Sequence, residues 1–88
     1  MTKTTNELVA PVVQAVLDLR KDRKARMMTV TIDRALEQLA WIVRNSKEVP
    51  NDRFSLRMRF VTIEAILNIC GDCAKDARRV VSEIRNSL

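Results

Sequence analysis

Apolar residues recur along most of this chain at steps of three and four, the spacing that puts side chains on one face of an α-helix. The strongest run lies in the C-terminal half, where Leu56, Phe60, Ile63, Leu67, Cys70, Ala74, Ala77, Val81, Ile84 and Leu88 alternate steps of four and three without a break. Such a heptad stripe predicts one long helix over about residues 53–86, running through Gly71 even though an interior glycine costs about 1 kcal/mol relative to alanine. With a rise of 1.5 Å per residue that helix would be about 50 Å long, well beyond the ~30 Å diameter of a compact chain of this size. Its excess length predicts contact with a second subunit. Cys70, Ala74 and Ala77 are small enough for close helix approach, and the flanking Val61, Ile66, Ile69 and Val80 widen the face beyond one seam. A face that wide can serve the chain's own helices and a dimer mate together, or it can simply be the interior of one chain.

Two shorter helices precede it. Val12 or Val13, Val16 and Leu19, with Leu17 beside them, make an apolar face on a helix over about residues 8–24, while Gln14, Asp18, Lys21 and Asp22 turn outward. Thr4 and Glu7 have capping-box spacing, but Pro11 fits best at a first helical position, so residues 7–10 are expected as a loose turn and residues 1–6 as a loose N-terminus. Ile32, Leu36, Leu39 and Val43, with Ala35, Ala40 and Ile42 beside them, predict a second helix over about residues 31–45. Between these helices Met28, Val30 and Ile32 alternate with Thr29, Thr31 and Asp33, a period of two that reads as a short strand or as the loop and cap before the helix. Val49-Pro50 breaks the chain after Asn45 and Ser46, and Asn51 or Asp52 can cap the helix that follows.

Composition agrees with this helical reading. One Gly and two Pro in 88 residues leave few turn formers, and 47% hydrophobic residues exclude a disordered chain. The expectation is a single small all-α domain of three helices, packed as a helical-bundle homodimer because so short a chain buries only a marginal core alone. No stretch approaches the ~20 apolar residues of a membrane span and the N-terminus lacks a signal-peptide pattern, so a cytoplasmic protein is expected.

Chemistry is constrained by what is missing. Without His or Tyr, and without a glycine-rich phosphate loop, the chain lacks the usual general base, the commonest metal ligand and a phosphate cradle, which argues against an enzyme, a cofactor or a small-molecule substrate. Cys70-Gly71-Asp72-Cys73 has CxxC spacing. It falls inside a helical stripe rather than after a strand, and two thiols without His make at most half a zinc site, so buried reduced thiols are expected. Lys75, Asp76, Arg78, Arg79, Glu83 and Arg85 form a mixed-charge face that reads as solvated surface. Trp41 stands off the apolar stripe of its helix, as an interface anchor or as a cover over the core.

The formal net charge of +5 is concentrated in one place. Arg20, Lys21, Arg23, Lys24 and Arg26 put five cations into seven residues, enough to neutralise nucleic-acid phosphates or an acidic partner, although cations there also complement a helix C-terminus. Residues 26–39, with an alternating segment, Asp33 at its end and Leu36 and Leu39 beyond, resemble the opening of a ribbon-helix-helix DNA-binding domain, with Ser55 to Ile66 as its second helix. The resemblance implies that residues 26–33 of two chains pair as strands and that Thr29 and Thr31 read base edges beside Arg26. Two functions are therefore expected. One is a regulatory homodimer that binds a protein partner stoichiometrically through the Leu56–Ile84 stripe, and the other is a small basic DNA-binding regulator.

Overall fold

In a computed structural model of the chain, residues 5–45 and 53–88 are described, and they are helical almost throughout, with no strand among them. The described residues form α1 (Thr5–Lys21), α2 (Thr29–Asn45), α3 (Arg53–Ile69) and α4 (Lys75–Ser87). A 3₁₀ segment, Arg23–Met28, joins α1 to α2, and a 3₁₀ turn, Gly71–Ala74, joins α3 to α4. The all-α expectation holds. Three helices become four, because the long C-terminal helix is two.

The break falls at Gly71, whose φ of 70° lies in the left-handed region that only glycine enters without penalty. A left-handed residue just past a helix end reverses the chain, as in the common glycine C-cap. Cys70 N–H still donates to the Leu67 carbonyl at 3.0 Å, tightening the last turn of α3. Arg78 of α4 then reaches back across the turn, donating from Nη1 to Asn68 Oδ1 at 2.9 Å and from Nη2 to the Gly71 carbonyl at 3.2 Å. The heptad stripe survives the reversal because Cys70 and Ala74 both plug the core on either side of the turn. Folding back removes the 50 Å rod, and the molecule measures 38 × 22 × 19 Å.

The first connection also differs from expectation. α1 ends at Lys21 rather than Lys24, because Asp22 turns extended (φ −72°, ψ 129°) and its carboxylate accepts the Lys24 N–H at 2.9 Å, capping the 3₁₀ segment. α1 also begins early, at Thr5, so Thr5 and Asn6 are helical and Pro11 is carried within the helix on its exposed side. The expected break at Val49-Pro50, the Asn51 or Asp52 cap and Thr4 of the capping box lie outside the described residues.

Each helix packs against the next, and α4 closes on α1, so the four surround one core. That core takes Val9, Val12, Val16 and Leu19 from α1, Ile32, Ala35, Leu39 and Ile42 from α2, and Leu56, Phe60, Ile63 and Leu67 from α3. Cys70, Ala74, Ala77 and Val81 complete it, and Ile84 and Leu88 pack partly buried at its edge. On α2 the buried set is rotated from the expected Leu36 and Val43 toward Ala35 and Ile42, which leaves Val43 exposed. Residues 32, 35, 39 and 42 keep the helical period. Periodicity alone could not choose between the two neighbouring stripes. No helix among the described residues is long and apolar enough to cross a membrane.

Candidate functional site

The surface feature that sets this molecule apart is the back of α3. Phe54, Met58, Val61, Ala65 and Ile69 follow one another at steps of four, three, four and four, on the side of the helix opposite Leu56, Phe60, Ile63 and Leu67. All five are exposed, Phe54 to 78% and Ile69 to 65% of their full areas. α3 is therefore apolar on two opposite faces, and a helix that is apolar all round is ordinarily covered all round. Scattered single apolar residues on a surface mean little, but a continuous stripe marks an interaction site.

Where α3 meets α2 the stripe opens into a groove of about 400 Å³ lined by Trp41, Phe54, Ser55, Met58, Arg59 and Thr62. Trp41 comes from α2, on the flank turned toward α3. Its ring is held by Arg59, whose guanidinium lies 3.7 Å from the ring centroid and donates from Nη1 to Gln38 Oε1 at 3.3 Å. Stacking of this kind fixes both side chains and leaves the apolar edge of Trp41 facing the groove. Trp41 is 39% exposed, so it is neither core cover nor free surface but one wall of this groove.

The expected interface residues stand elsewhere. Leu56, Phe60, Ile63, Leu67, Cys70, Ala74, Ala77 and Val81 are all buried inside one chain, and Ile84 is half-buried against them. The stripe is spent on the chain's own core, so a surface that meets another molecule has to come from other residues.

The expected strand is replaced by helix. Met27 and Met28 close the 3₁₀ segment, and Thr29–Asp33 are the first turns of α2. In a helix, residues two apart point to nearly opposite sides, so Thr29 and Thr31 do not share a face as they would on a strand. The Thr29 hydroxyl is also occupied, donating to the Arg26 carbonyl at 2.9 Å. The ribbon-helix-helix pairing thus has no strand to work with. Of the basic cluster, Arg20 is tied to Asp33 (Nε to Oδ1, 2.8 Å), whereas Lys21, Arg23, Lys24 and Arg26 remain exposed at the α1–α2 end of the molecule. Met27 beside them is 91% exposed.

Cys70 and Cys73 are free thiols across the α3–α4 turn, and Cys73 Sγ donates to the Cys70 carbonyl at 2.9 Å. Burial, reinforced by the neighbouring Cys73, pushes the Cys70 thiol above its ordinary pKa, with Arg78 pulling weakly the other way. A thiol held protonated is a poor nucleophile. A smaller groove of about 230 Å³ beside Cys73 contains Asp18, Asp22 and Asp76, but two of these carboxylates are engaged: Asp18 accepts from Gln14 Nε2 at 2.9 Å, and Asp22 caps the 3₁₀ segment. No group of acids and thiols among the described residues is arranged to hold a metal ion.

The sequence carried a signal for the α3 surface that periodicity of the inner stripe masks. Val61 and Ile69 are recognisable as widening the face, but Phe54, Met58 and Ala65 complete a second stripe that runs out of phase with the first. No protein-family model, curated protein or solved structure matches the chain.

Proposed function

We propose that the chain is a non-enzymatic docking module that binds protein stoichiometrically, with the outer face of α3 and the Trp41 groove as its docking surface. The observation that carries this reading is the second apolar stripe, Phe54 to Ile69, laid along a helix whose first stripe already fills the core. The flanks suit a helix as the docked element: the stripe is one helix wide, and Arg59 and Trp41 form a rigid wall at its side. Affinity capture with the wild-type chain and with a Phe54→Asp/Val61→Asp variant, run side by side, tests it. Both substitutions fall on exposed positions, so the variant keeps its helical circular dichroism. Protein retained by the wild type and lost by the variant, an untagged copy of the chain included, is the expected result, and identical capture by both overturns the reading.

A second reading is favoured by the exposed Lys21, Arg23, Lys24 and Arg26 on the α1–α2 connection, where Asp22, the one acid among them, is spent as a cap. Four cations on an exposed turn can neutralise phosphates of a nucleic acid without any strand pairing, and binding would then weaken with salt in proportion to the phosphates contacted. Replacing Arg23 and Lys24 with Ala should flatten that salt slope for a random duplex. Binding that is absent, or a slope that does not change, removes this reading.

A further inference from the structure

The geometry points to a second copy of this chain as the occupant of the α3 face, docked antiparallel. The inference rests on the docking reading above and specifies its partner. With Met58 and Ala65 at a-type and Phe54 and Val61 at d-type positions of a heptad, antiparallel packing sets a against d, so Phe54 of one chain faces Ala65 of the other and Met58 faces Val61. Large meets small in the outer layers, and each layer occurs twice by symmetry, as a two-fold interface requires.

The flanks obey the same register. On the α4 side, Arg57 and Glu64 occupy g-type positions, which face one another across antiparallel helices, so Arg57 of each chain meets Glu64 of its mate. Arg57 is exposed. Glu64 lies 3.0 Å from Arg85 Nε, but that N–H is not aimed at the carboxylate, which leaves Glu64 able to accept from a second guanidinium. On the α2 side, Ser55 and Thr62 occupy e-type positions, and the register sets Thr62 of the mate beside Ser55, two exposed small polar side chains that let the helices approach closely. Ser55 and Thr62 both line the Trp41 groove, so α3 of the mate runs along the edge of that groove. Parallel pairing gives none of this: it stacks Phe54 on Phe54 and sets Arg57 against Thr62 and Glu64 against Ile69. The shared seam covers residues 53–66 of each α3, about 21 Å at 1.5 Å per residue.

Sedimentation equilibrium from micromolar to millimolar concentration, paired with disulfide trapping, tests the proposal. The wild type is expected to reach twice the 10.1 kDa chain mass. Val61→Arg should raise the dissociation constant about a hundredfold or more by placing a charge in the seam, with helicity unchanged. In a Cys73→Ser background, a Phe54→Cys chain mixed with an Ala65→Cys chain should form the mixed disulfide, whereas Phe54→Cys alone should not pair with itself. A wild type that stays monomeric at millimolar concentration overturns the dimer, and self-pairing of Phe54→Cys overturns the antiparallel register. Docking as such fails separately: a monomer that still captures a protein lost by the Phe54→Asp/Val61→Asp variant refutes the second copy and keeps the surface, while a monomer that captures none refutes both.

Discussion

α3 and α4 are the two arms of one helical hairpin, and they share an inner face yet differ completely outside. Inward, Leu56 to Leu67 and Cys70 to Val81 continue a single heptad stripe through the turn. Outward, α4 presents Lys75, Asp76, Arg79, Glu83 and Asn86, whereas α3 presents Phe54, Met58, Val61, Ala65 and Ile69. α4 is thus an ordinary amphipathic surface helix, satisfied by one core and water. α3 buries one apolar face and leaves a second exposed to solvent. The difference teaches that core formation explains only half of α3, and that its remaining half is the face on which the proposed docking rests.

The sharpest way to break this comparison is to truncate one aromatic on each face of α3. Phe60→Ala should cost about 3–5 kcal/mol, since it empties a fully buried site at the centre of the core. Phe54→Ala, measured by urea unfolding at low protein concentration where association contributes nothing, should change stability by no more than about 0.5 kcal/mol. Comparable losses at the two positions would show that the outer face is packed within one chain after all.

A smaller effect is expected at the junction between the arms. A Cβ added at Gly71 meets nothing within 4 Å, so Gly71→Ala should cost only the left-handed backbone strain, about 1–2 kcal/mol in the same assay. An unchanged or increased stability would mean that the helix runs through this point, restoring the continuous rod that the heptad stripe suggests.

The smallest effect concerns pH. Because burial raises the Cys70 thiol from 9.0, the folded chain binds this proton more tightly than the unfolded chain. The resulting stability is fully present below the unfolded value and is lost as pH rises from about 9 through the folded value. Cys70→Ala should therefore flatten the alkaline fall of the urea midpoint relative to wild type. Parallel falls in the two proteins would show that the thiol is not desolvated.

Much of this architecture is legible in the residue pattern, and its failures are informative. The inner stripe from Leu56 to Val81 is buried at every position, since each of its steps places a side chain on one face whatever the backbone does between. The alternation of Met28 to Asp33 misleads, because two-residue periodicity over six residues is weaker than the helical continuity of Ile32, Leu39 and Ile42 beyond it, and the capping of Arg23–Met28 by Asp22 feeds straight into α2. The surface proposed for docking is only half visible in the sequence. Its residues lie out of phase with a stronger stripe, and an apolar position gains meaning as a surface site only once the core is known to be complete without it.

What the sequence determined by itself is therefore the helical class, the residues of the inner stripe and the absence of His and Tyr chemistry, all properties of local spacing and composition. Tertiary structure decided three things that spacing leaves open: the reversal at Gly71, the rotation of α2 that buries Ala35 and Ile42 fully, leaves Leu36 at the core's edge and exposes Val43, and which of the two stripes of α3 faces the core. The physical reason is common to all three. Periodicity fixes how side chains are arranged about a helix axis, but what covers each face depends on how the axes pack, and that is settled by one backbone dihedral and by the volumes that meet across the core.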